Sequence, residues 1–290
     1  MTAAAELLNV AQPALGVQIR QLESELGLDL LVRHSRGVTP TQAGKLLFER
    51  ATRILADVEA AQRELQALTA PKTDHVVLGM PPSLMLLLGP DLLIEARRQL
   101  PGVSLSLVEE RSVVLLDAID RGQIDVAFAW NVAERADLQR IALLEEDLLL
   151  VTSPEAAGNA GPVSLAQALS YELVIAGERG VIRNIVQAEA RRLGLTMRLA
   201  FEVHSISSMK ALIGRSGGAT IMPYSLAPRE IDSGGLVARR IERPTITRTL
   251  YLVRPVKRTG FAREPEVLAF LEEIAGKTLA AMGPFARPLR

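Results

Sequence analysis

From residue 76 onward the sequence alternates between short apolar runs and amphipathic stretches, and this alternation limits the possible fold more than any other feature. Runs at 76–80, 103–108 and 125–130 read as strands, with helical spacing at 84–99 and 113–121 between them. Strand, helix, strand, helix, strand in that order requires a parallel sheet with right-handed crossovers. A second round follows, with strands at 173–176, 197–203 and 219–222 and helices at 181–193 and 206–215. The run 148–152 leaves the first round, a strand at 248–253 returns, and a helix at 266–275 closes the pattern. Two similar α/β lobes crossed twice by the chain are expected: 75–150 with 254–290 as lobe I, and 151–253 as lobe II.

Before residue 75 the texture is helical. Pro13 fits a first helical turn, where its missing N–H costs nothing. Leu15, Ile19, Leu22 and Leu26 then recur at helical spacing and are expected to form a buried face, with Gln12, Gln18, Arg20, Gln21 and Glu23 opposite and Gly27 as the stop. A shorter helix capped by Thr2, with Ala4, Ala5, Leu7 and Leu8 apolar, precedes it across a turn at Asn9, Val10 and Ala11. Two short helices with glutamine and arginine outward on the second suit a helix-turn-helix, because Gln matches adenine edges and Arg matches guanine or phosphate. Periodicity alone leaves an ordinary helical hairpin open. Residues 28–39 read as a two-strand hairpin whose tip carries Arg33, His34 and Arg36, placed to meet phosphates or a minor groove. Thr41 can cap a long helix over 41–70. There Leu47, Ala51, Ile54, Val58, Ala61, Leu65 and Leu68 alternate in steps of four and three, a coiled-coil-like seam that predicts self-association.

Charge decides little about partners, since 33 Lys plus Arg balance 33 Asp plus Glu and only local placement of basic residues counts. With 290 residues and 48% hydrophobic content the chain can build two or three cored units. It has no cysteine, hence neither disulfides nor a thiolate metal site, and its three histidines, His34, His75 and His204, lack metal-ligand spacing. No apolar run reaches membrane-span length and no basic-then-apolar leader opens the chain, so a cytoplasmic protein is expected. Residues Gly214, Arg215, Ser216, Gly217 and Gly218 match the G-x-S-x-G elbow of serine hydrolases. That motif needs a strand before the serine, a helix after it and a later histidine, and the order here is helix, turn, strand. No metal, cofactor or catalytic set is expected.

A ligand between two such lobes would meet loops at the carboxyl ends of strands. The first loop holds Ser83, with Leu84 beside it, at a helix start that can bind an anion. Trp130 and Asn131 follow the third strand, Arg183 opens a helix of the second lobe and could pair with a carboxylate, and His204 with Ser205 ends a strand in a place that mirrors Ser83.

The run AAELLNVAQPAL, continued by QIRQLESELGLDLLVRHSRGVTPTQAG, closely resembles the DNA-binding region of LysR-type transcriptional regulators, and the likeness continues through the chain. Met80 to Ser83, Leu88-Gly89-Pro90 and Ile241 to Pro244 look most like the branch of nitrogen-assimilation control regulators. The resemblance implies a winged helix-turn-helix, a dimerising linker helix and a two-lobed effector domain resembling periplasmic binding proteins, assembled as a tetramer. It implies double-stranded DNA as partner through Gln12, Pro13, Ala14, Gln18, Arg20, Arg33 and Arg36, and a small anionic effector in the cleft, with His204 facing it and Thr220 and Pro223 at its back. Regulators of this family carry a further helix before the one at residue 2, and serine then a polar residue where Gly16 and Val17 stand. An incomplete reader is therefore expected. A ligand-binding protein without DNA function is the first rival reading, and an enzyme on a two-lobed scaffold the second.

Overall fold

The computed structural model describes residues 5, 11–34, 37–69, 74–158, 161–177, 180–216, 218–256 and 263–289. They fall into two units, Met1–Thr69 and Ala70–Arg290.

In the first unit, helix α1 (Gln12–Leu26) has Pro13 in its first turn and ends at Gly27, whose φ of 65° is left-handed and therefore suits glycine. Glu23 Oε1 accepts hydrogen bonds from the N–H groups of Leu30 at 2.9 Å and Leu31 at 3.1 Å. This ties the end of α1 to the hairpin of β1 (Leu31–His34) and β2 (Gly37–Pro40). Thr41 Oγ1 accepts from the Gly44 N–H at 3.0 Å and so caps α2 (Gln42–Thr69). Glycine at 44 is required, because a Cβ there would lie 2.1 Å from the Leu30 carbonyl oxygen. The expected buried face of α1 is only half formed: Leu15 and Ile19 are half-buried, whereas Leu22 and Leu26 are exposed. Among the described residues of this unit only Ala5 and Leu30 are buried apolar groups, too few to cover the last turn of the helix. The short helix and turn expected over 2–11 lie outside the described residues except for Ala5, which is helical, and Ala11.

The second unit begins as the alternation requires: β3 (Asp74–Met80), α3 (Pro82–Gln99), β4 (Val103–Glu109), α4 (Ser112–Asp120) and β5 (Val126–Trp130), with β3 paired parallel to both β4 and β5. Strand β6 (Leu138–Thr152) follows, then β7 (Val163–Ser164), α5 (Leu165–Ser170), β8 (Leu173–Ile175), α6 (Val181–Arg192), β9 (Leu199–Glu202), α7 (Ile206–Ser216) and β10 (Ala219–Pro223). A 3-10 turn (Tyr224–Leu226), α8 (Pro228–Asp232), β11 (Val237–Glu242), β12 (Thr247–Pro255), α9 (Glu264–Met282) and β13 (Ala286–Pro288) complete it. Among the described residues these eleven strands make one sheet, ordered β4-β3-β5-β12-β6-β10-β8-β9 with β11, β7 and β13 attached at its side.

Strand β6 is the spine. Nine of its first ten residues pair with β12, Leu143 falling at a bulge, and its last five pair with β10, four of them with β11 as well. Strand β12 also pairs with β5 from Leu250 to Val253. The returning strand therefore belongs to the sheet of lobe I, not to the lobe II range 151–253, and the chain changes lobes near 147/148 and 246/247. One apolar core runs through the junction, from Leu84, Leu88 and Trp130 on one side to Met209, Met222, Tyr224 and Ala227 on the other.

Candidate functional site

Ser83 is the second residue of α3, but it does not cap the helix: the N-cap position is Pro81, whose carbonyl takes the N–H groups of Leu84 and Met85. The Ser83 side chain turns inward, 2% exposed, and its Oγ accepts from Trp130 Nε1 and from Arg248 Nη2, both at 3.1 Å. The Ser83 hydroxyl is thus engaged by the protein's own donors. Leu84, named with it, is a core residue at 1% exposure and has no polar group to offer.

Around Ser83 the strands assemble a buried polar cluster. Trp130, the last residue of β5, lays its ring under the Arg248 guanidinium, 3.6 Å from the ring centroid. Arg248 and Glu146 are cross-strand partners on β12 and β6, and Arg248 donates through Nε at 3.0 Å and Nη2 at 2.7 Å to Glu146 Oε2. Nη2 also reaches Ser225 Oγ at 2.9 Å, and the Ser225 N–H donates to Glu146 Oε1 at 3.0 Å. Glu146 and Ser225 are fully buried and Arg248 is 4% exposed. Burial pulls the Arg248 guanidinium below its ordinary value, and the Glu146 carboxylate opposes that pull. Arg248, Glu146 and Ser225 carried no signal in the sequence; a charged pair inside otherwise apolar strand edges, 102 residues apart, is visible only once β6 and β12 are in register.

The remaining candidates lie in lobe II, except Asn131, which follows β5 of lobe I. Arg183, near the start of α6 and 8% exposed, pairs with Glu202 Oε2 at 2.7 Å. The exposed His204 brings Nε2 to 3.6 Å from Glu202 Oε1, and its ring lies against Gly177, where a Cβ would come within 2.1 Å of Cε1. Ser205 caps α7, its Oγ accepting from the Ser208 N–H at 3.2 Å. Asn131 is exposed at a left-handed φ of 50° and braces β12, its Oδ1 accepting from the Thr249 N–H at 2.7 Å. Thr220 and Pro223 are buried in β10, and Thr220 donates to Met209 Sδ at 3.7 Å. The fold thus brings Ser83 together with Trp130, and Arg183 together with His204 through Glu202.

On the first unit Gln12, Pro13, Ala14, Gln18 and Arg20 are all exposed along α1. Only the backbone of Arg33 is described, and Arg36 lies outside the described residues. Among the described residues no helix is long and apolar enough to cross a membrane, and no group of three or more His, Asp or Glu could hold a metal ion.

A model of the LysR substrate binding domain matches residues 70–277, and that of the lysR-family bacterial regulatory helix-turn-helix protein matches residues 1–45. The chain belongs to the LysR family. This LysR-type protein is 32% identical over 253 residues to the nitrogen assimilation regulatory protein Nac of Klebsiella aerogenes, a match covering 87% of this chain and 82% of Nac, which agrees with the nitrogen-assimilation-control-like branch. Full-length CbnR complexed with its target DNA has the same fold, with a TM-score of 0.64 at 22% identity over 94% of this chain and 92% of CbnR. The hydrogen peroxide-bound cysteine-to-serine mutant of Corynebacterium glutamicum OxyR has a TM-score of 0.62 at 25% identity, over 97% of this chain and 90% of that one. The LysR-type chain is a DNA-binding transcriptional regulator with an effector-binding domain, and such regulators oligomerise. Its relatives are regulators and not enzymes, which sets aside the reading as an enzyme on a two-lobed scaffold; the reading as a ligand binder without DNA function is not favoured either.

Proposed function

We propose that this regulator reads double-stranded DNA in the cytoplasm through α1 and senses a small anion in the crevice between its lobes. Gln12, Pro13, Ala14, Gln18 and Arg20 form the reading surface, Gln18 at base edges and Arg20 at a flanking phosphate, while Arg33 and Arg36 hold phosphates. The observation that carries the DNA reading is the exposure of this polar face within the stretch that matches the helix-turn-helix model. The seam of α2 joins two copies, with Ile54 and Val58 exposed for a partner.

The effector enters beside Arg183, His204, Ser205 and Asn131, with Ser83, Leu84, Trp130, Thr220 and Pro223 as the wall behind. Its anionic character is supported by the nearly buried Arg183, whose present partner, the Glu202 carboxylate, a ligand carboxylate can replace. Ligand binding changes regulation only through unequal affinity for two arrangements of the assembly.

The test is a salt series of promoter-DNA titrations with the full chain. Gln18→Ala is expected to lower the preference for operator over random DNA by roughly 1–3 kcal/mol while leaving the salt slope intact. A panel of small carboxylates should shift the wild-type titration but not that of Arg183→Met. Unchanged operator preference removes α1 from the reading; a carboxylate response that survives in Arg183→Met removes the anion site.

A further inference from the structure

The buried cluster around Ser83 has the chemistry of a receptor. A carboxylate (Glu146), two hydroxyls (Ser83 and Ser225) and the face of an indole (Trp130) enclose one planar cation, with the ring centroid 3.6 Å below it and oxygens at 2.7 to 3.1 Å around Nη2. Nη2 alone has three oxygens within reach for two hydrogens, so one hydrogen is shared. Indole, carboxylate and paired hydroxyls together select a guanidinium over an ammonium, because only the flat, delocalised ion stacks and donates in its plane at once. The occupant here is a side chain of the same chain.

The receptor also has walls from both lobes. Ser83 and Trp130 belong to lobe I, Ser225 lies in the turn that follows β10 of lobe II, and Glu146 sits on β6 two residues before the strand changes lobes. Helix α3 packs directly on that turn. The guanidinium therefore touches, in one group, α3, β5, β6 and the turn after β10, elements drawn from both lobes.

We infer that the closed end of the crevice is a guanidinium receptor that the chain fills from within, so that Arg248, and not a soluble effector, fixes the lobes around Ser83 and Ser225. This rests on the reading of the inter-lobe crevice as the regulatory site. It restricts a diffusible effector to the more open surface near Arg183, His204 and Asn131, and it makes Ser83 a positioning residue acting through Arg248. The tether is neutral as a pair, so it holds without an external counter-ion.

Trp130 is the only tryptophan of the chain, and its emission reports the receptor directly. In the full-length protein, Arg248→Ala should change that emission and speed amide exchange over residues 144–148 by at least about tenfold, the factor for a single charge-assisted hydrogen bond, of which Arg248 makes several. Guanidinium chloride at low millimolar concentration should restore both signals saturably, whereas sodium chloride and urea should not, and the additional change Glu146→Gln should abolish the rescue. Arg248→Lys keeps the charge beside Glu146 and so protects the fold, yet a point charge cannot both stack and span two hydroxyls; it should show the altered emission and the faster exchange as well. The inference is overturned if Arg248→Lys is indistinguishable from wild type, or if Arg248→Ala responds equally to guanidinium and urea. These signals are read without DNA or effector, so the promoter titration fails or succeeds independently of them.

Discussion

Gly16 lies in the middle of α1, buried, in ordinary helical backbone, and a Cβ added there would meet its nearest described neighbour, Arg20 Nη1, at an unstrained 3.6 Å. Nothing in that geometry asks for glycine, so Gly16→Ala should stabilise the first unit by about 1 kcal/mol through helix propensity, seen as a higher Tm of its transition. Tyr224 allows a prediction on pH. Its phenol donates to both oxygens of Asp232, at 3.1 and 2.9 Å, and burial first, then Asp232, raises it above its ordinary value of 10.0. The folded chain keeps a proton that the unfolded chain releases, so this contribution is complete below about pH 10 and is lost as pH climbs through the raised value. Tyr224→Phe should therefore flatten the alkaline limb of a stability-against-pH curve relative to wild type; a parallel limb in both proteins would refute the assignment.

Between elements, close approach matters more than propensity. The start of α2 runs so near Leu30 that Gly44→Ala places a methyl group 2.1 Å from a backbone oxygen, which cannot swing aside as a side chain would. It should cost the first unit roughly 1–3 kcal/mol or more and weaken DNA binding, while the second unit's unfolding stays in place; calorimetry resolves the two transitions. The alternation of elements in the second unit was legible because each parallel strand is a short apolar run between amphipathic helices. Strand β6 was legible only in its last five residues: Gln139, Arg140, Glu145, Glu146 and Asp147 give its first ten the texture of a loop, although their partners on β12 and β13 neutralise several of them. The same masking hid the effector-domain cluster. Ser83 and Trp130 could be singled out from their places after strands, but their partner Arg248 read as an ordinary charge at a strand start. Arg183 read as a free cation because Glu202, which neutralises it, lies 19 residues away on another element. Charges satisfied across a sheet leave no local trace.

At the scale of the whole chain the two units answer to different tests. Ile54 and Val58, 62% and 49% exposed on α2, carry the seam proposed to join copies. Replacing both with aspartate should lower the mass found by light scattering and reduce promoter affinity, yet leave the thermal transition of Ala70–Arg290 unmoved; an unchanged mass would place the joining surface elsewhere. Within that second unit the lobes are not separable in the same way. One unbroken strand, Leu138–Thr152, gives its first ten residues to one lobe and its last five to the other. A recombination event that exchanged a lobe with that of a relative would have to cut this strand or carry it whole, stranding half its pairing partners. Ancestry for such a domain should therefore be inherited as a block, with crossovers tolerated at residues 70–73 and purged between 138 and 255.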